Sequence, residues 1–152
     1  MSFDIASNVA PLINEGAFMP FQRPDGAPLV NDKNEPVGAY LRARNSAAAL
    51  RKIRENGNRR LAEASRGTTE LTVERSEADT TAVLVACTVR FVGFDQLDGR
   101  PFTGSDEDAR RFWSDDRFRR ERERAEQWIS NEANFMSVSP ASSSNTGDTS
   151  SN

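Results

Sequence analysis

The sequence contains no histidine and only one cysteine, Cys87, in 152 residues. Those absences remove the commonest general base, the commonest metal ligand and any intrachain disulfide. Lysine is almost missing as well: Lys33 and Lys52 are the only two among 20 basic residues, so the other 18 are arginine, the cation suited to planar pairing with carboxylates and to aromatic faces. No apolar run approaches the roughly 18 residues of a membrane-spanning helix. The opening MSFDIASNVA has neither a basic leader nor a signal-peptide core, so a reducing cytoplasm is the expected compartment. A net charge of -3 leaves no global field to draw the chain to nucleic acid or anionic lipid. Hydrophobic residues make up 36% and the mean hydropathy is -0.67, which predicts one polar domain with a small core.

What is present falls into blocks. Residues 1–17 read as an irregular lead-in, with Pro11 and Gly16 breaking any regular pattern. In residues 18–44, Pro24-Asp25-Gly26 presets a turn, because proline fixes φ and glycine accepts a positive φ, and a β-hairpin or small meander is expected. Its clearest strand is Val37 to Arg44, with Val37, Ala39, Leu41 and Ala43 on one face and Tyr40, Arg42 and Arg44 on the other. Asn45 or Ser46 then caps a helix over about 46–65, whose apolar face is Leu50, Ile53, Gly57, Leu61 and Ala64. Gly57 on that face predicts close approach of another element.

The segment 70–93 is rich in β-branched residues but contains no turn signal, and its length favours one buried helix. Cys87 belongs to that core. Asp98-Gly99 marks a turn, Ser105 caps a short helix over 105–113, and Asp106, Glu107 and Asp108 suit the positive end of its dipole better than they suit a calcium loop. Ser114, Asp115 or Asp116 caps a last helix over 116–133. From Asp115 to Ala133 five arginines face six acids, with Asp115–Arg119 and Asp116–Arg120 spaced as i,i+4 pairs, so the basic run RFRRERER reads as internally neutralised rather than as a nucleic-acid surface. The Ser/Thr/Asn-rich residues 137–152 read as a disordered tail. The fold class is therefore α+β: a small N-terminal β-hairpin or meander followed by a mainly helical domain of about four helices, in one folded unit over 18–136.

No catalytic, cofactor-binding or metal-binding residues emerge, and a non-enzymatic protein is expected. The order of features nevertheless resembles the tail assembly chaperones of long-tailed bacteriophages. The resemblance rests on the hairpin around PDGAPL, a strand ending in Arg44-Asn45-Ser46, an Ala/Arg-rich helix, and a segment ending in RFVGF. DQLDGRPFTGSDEDARRFW and a charged helix closing in NEANF complete it, so that residues 18–136 are covered. The resemblance implies a non-catalytic factor in the host bacterial cytoplasm, the short product of a gene that also yields a frameshifted long form. It would bind the tape-measure protein, help tail-tube subunits polymerise and self-associate, with neither nucleic acid nor membrane as a partner. Phe118, Trp128, Ile129 and Phe135 are the side chains expected at the partner contact. A minor tail or connector protein retained in the virion is the alternative.

Overall fold

The computed structural model describes residues 2, 4, 5, 12–67 and 72–136. The expected tail at 137–152, residues 1, 3 and 6–11 of the lead-in and the start of the expected 70–93 helix lie outside the described residues. Within them the chain is α+β, an antiparallel strand meander followed by four helices.

Strand β1 (Ala17–Pro20) pairs with β2 (Gly38–Leu41) in the register Ala17↔Leu41 through Pro20↔Gly38. Between them the chain folds out in two narrow loops. One is the Pro24-Asp25-Gly26 turn, where the Gly26 amide donates to the Arg23 carbonyl at 2.8 Å and Gly26 has φ of 90°. The other is closed by Asn31, whose side-chain oxygen accepts from Lys33 N and Glu35 N. The alternation expected from Val37 to Ala43 holds: Val37, Ala39, Leu41 and Ala43 are all buried.

The expected helix over 70–93 is corrected in its second half. Helix α2 (Val73–Cys87) ends at Cys87, and Thr88–Val92 forms β3, the third strand of the sheet, paired antiparallel with β2. The physical reason lies outside the segment. The last carbonyls of α2 are taken by the neighbouring strand: Arg42 Nη1 donates to Ala86 O at 3.1 Å and Arg42 N to Cys87 O at 2.7 Å. With its final carbonyls satisfied in this way, the helix can pass directly into a strand without a turn residue. The β-branched TVRFV then expresses its strand preference. Gly93 ends β3 with φ of 94°, and a side chain there would meet the Pro36 carbonyl at 2.6 Å.

Helix α1 (Ala47–Ser65) is capped by Ser46, whose hydroxyl accepts from Ala49 N at 3.3 Å. Its expected apolar face holds at half-buried Leu50 and Ile53, the latter packed on the core, and is corrected at Gly57, Leu61 and Ala64, which are exposed. Ala49 and Asn56 are the buried positions, Leu61 is 70% exposed, and nothing lies within 4 Å of a Cβ built on Gly57. The distal half of α1 meets α2 through charge instead, with Arg59 and Arg60 on Asp79 and Arg75 on Glu63.

The short strands β4 (Gln96–Leu97) and β5 (Arg100–Pro101) flank the Asp98-Gly99 turn, where both residues have positive φ (54° and 75°), as a two-residue hairpin requires. Helix α3 (Asp106–Ser114) starts at Ser105, whose hydroxyl accepts from Asp108 N at 3.2 Å. The expected continuous helix over 116–133 is three pieces: a 3-10 turn (Asp116–Phe118), helix α4 (Arg119–Ile129) and a second 3-10 turn (Glu132–Phe135). Trp113, fully buried, joins the layers, because its indole N–H donates to Thr88 Oγ1 at 3.0 Å while its carbonyl accepts from buried Arg122 at 3.0 Å. No helix among the described residues is long and apolar enough to cross a membrane.

Candidate functional site

An open cleft of about 590 Å³ lies between the looped-out part of the β1–β2 connection and the start of α4. Its size is in the ~300–1,000 Å³ range of ligand and anchor pockets. The loop side contributes Phe21, Leu29 and Val37, the far side Leu97 and Phe118, and Phe94 and Phe112 lie beneath. The rings hold one another: Phe112 stacks on Phe21 (centroids 5.5 Å apart, planes 5° apart) and on Phe118 (4.5 Å, 15°), so three phenyl groups form a continuous column. Phe94 meets Phe102 and Phe91 at 5.0 and 5.7 Å. Such offset and edge contacts fix ring positions as well as burying area.

Two charged braces frame the cleft. Arg117 holds Asp98 with both terminal nitrogens, at 2.8 and 2.7 Å, and reaches Asp115 at 2.7 Å, tying the β4–β5 turn to the first 3-10 turn. The Arg117 guanidinium holds the Asp98 and Asp115 carboxyls below their usual range, and they raise Arg117 in return. Opposite, Glu121 accepts from Gln22 N at 3.2 Å and from Arg124 at 2.6 Å, while Arg124 also donates to Pro20 O, which ties the hairpin to α4. Arg23 and Arg120 are exposed on the rim and make no ion pair among the described residues.

The four side chains expected at a partner contact separate. Phe118 is half-buried and lines the cleft. Trp128, also half-buried, packs edge-on against Phe135 at 5.0 Å, on the second 3-10 turn that follows α4. Ile129 and Phe135, at 3% and 0% exposure, lie in the interior, where the Phe135 carbonyl accepts from Leu12 N. The expected i,i+4 pairs are replaced as well, because the 3-10 turn shifts the spacing. Arg119 pairs with Asp116 and Glu77, Arg124 with Glu121, and Arg122 lies 4.0 Å from Glu77.

Phe21, Leu29, Phe94 and Leu97 were not singled out from the sequence. The available signal was that each lies within a few residues of a proline, aspartate or glycine that marks a turn. Cys87 carries no accessible chemistry: burial pushes its thiol up to about 12, against weaker pulls from Arg42 and Arg44, and its sulfur sits 3.8 Å from Ala43 O. Among the described residues no three His, Cys, Asp or Glu side chains are grouped to hold a metal ion. Compared with family models, with curated proteins and with solved structures, the chain matches none.

Proposed function

We propose that the chain is a non-catalytic tail assembly chaperone of a long-tailed phage, which takes an apolar stretch of the helical tape-measure protein into its cleft and helps tail-tube subunits assemble around it in the host cytoplasm. The observation that carries this reading is the cleft: a preformed, open, ring-lined hollow whose rim charges Arg117 and Glu121 are already engaged in holding its walls. Apolar anchors of a helix, repeating at i, i+3 or i+4 and i+7, are the natural occupants of such a hollow. Many weak contacts along one long helix then add up through multivalency, while each chaperone remains able to leave. The net charge of -3 keeps a densely coated complex soluble. The resemblance of the order of features to that family is the ground on which the tape-measure protein is proposed as the partner.

Co-expression with the tape-measure protein tests the reading. A soluble complex that co-purifies supports it, and a tape-measure protein that stays insoluble and unbound overturns it. Protein analysis of purified virions separates the alternative: stoichiometric recovery of this chain would make it a retained tail component.

A further inference from the structure

The ring-lined cleft does not end at Phe94. A second hollow of about 560 Å³ adjoins it, and the two share Asn31, Gly93 and Phe94 as lining. The shared wall is fixed, because Asn31 Nδ2 donates to Gly93 O at 3.0 Å and Gly93 cannot accept a side chain without colliding with Pro36. The two hollows differ in charge. Arg23 and Arg120 are the unengaged charges at the first, and Asp32, Glu35 and Asp95 outnumber Lys33 at the second, with none of these making an ion pair among the described residues. The two hollows meet at Asn31, Gly93 and Phe94; the first is lined mainly by apolar side chains with Arg23 and Arg120 on its rim, and the second carries Asp32, Glu35 and Asp95.

We propose that the two hollows act as one groove, selective for a charge-segregated amphipathic segment, with apolar anchors between an acidic end that meets Arg23 and Arg120 and a basic end that meets Asp32, Glu35 and Asp95. The inference rests on the docking role proposed above and specifies which stretch of a partner helix is taken. Apolar anchors alone would bind in any register along a long helix. Opposite charges at the two ends of the groove penalise every register that places like charges together, and such penalties set specificity more than they add affinity. The groove thereby selects one register per binding segment.

Three synthetic peptides with identical apolar anchors and different flanks test this by fluorescence anisotropy against the full chain: one acidic at one end and basic at the other, one acidic at both ends, one basic at both. The segregated peptide is expected to bind about tenfold tighter than either uniform one, and 0.5 M salt is expected to narrow that gap. In Arg23→Glu/Arg120→Glu the order is expected to invert in favour of the doubly basic peptide. Both side chains are exposed, and circular dichroism confirms that the variant remains folded. Equal affinity for all three peptides, an unchanged order in the double variant, or no binding of any peptide would each overturn the inference. Tape-measure co-purification with wild type reports separately on the docking role, and with the double variant it shows whether that role survives loss of the charge gradient.

Discussion

Arg117 ties the β4–β5 turn to the first 3-10 turn, and its loss is the most informative single change on the rim of the cleft. In Arg117→Ala the Asp98 carboxyl is expected to rise toward its ordinary value and Asp115 to rise less, because the amide of residue 117 still donates to Asp115 Oδ1, and NMR pH titration reads both directly. The sign of the linked stability follows: their folded values are depressed, so the stabilisation is present above the unfolded carboxylate value near ~3.9 and is lost as pH falls through the folded values. The stability gap between wild type and Arg117→Ala, measured by urea unfolding, is therefore expected at pH 7 and absent near pH 2. Cys87 behaves oppositely. Its thiol is raised to about 12, so its contribution is intact below the unfolded value near ~8.5 and is lost as pH climbs from there toward 12. Thiol reagents at neutral pH are expected to label it at the rate of unfolding, and labelling as fast as a free thiol would contradict its burial.

At the scale of elements, two glycines make opposite predictions. Gly57 sits in an open stretch of α1, so Gly57→Ala is expected to stabilise the protein by ~0.5–1 kcal/mol in denaturant melts, through helix propensity alone. Gly93→Ala combines a positive φ with a collision against the Pro36 carbonyl and is expected to cost more than ~1 kcal/mol. The caps are predictable too: Ser46→Ala and Ser105→Ala should each cost ~1 kcal/mol. Those serines, the alternation from Val37 to Ala43 and the Asp98-Gly99 turn were legible in the sequence because each acts within four residues of itself. The helix-to-strand change at Thr88 was not, since it depends on Arg42, which is 46 positions earlier in the chain. The same holds for the face of α1, where Leu61 and Gly57 sit at core spacing but no element among the described residues covers them. At the cleft only Phe118 is among the side chains expected at a partner contact, because the other walls, Phe21, Leu29, Val37, Phe94 with Leu97, and Phe112, come from separated segments that converge in the fold.

The described residues form a three-stranded sheet, a two-stranded hairpin and four helices around one core, with an aromatic column running from Phe21 through Phe112 to Phe118. The interior ends in an open ring-lined groove, so the same packing that stabilises the domain also builds the surface offered to a partner. Phe112→Ala is expected to destabilise by ~3–5 kcal/mol and to lose partner binding with the fold. Leu97→Ala, on the cleft wall and only half-buried, is expected to weaken binding while the melting transition stays nearly in place. The most direct test of the docking account is amide hydrogen exchange on the chain alone and in complex with the tape-measure protein. Added protection at 21–31, 93–97 and 116–121 is the predicted result. Protection confined to the exposed distal half of α1 and the start of α2, with the groove unchanged, would contradict it.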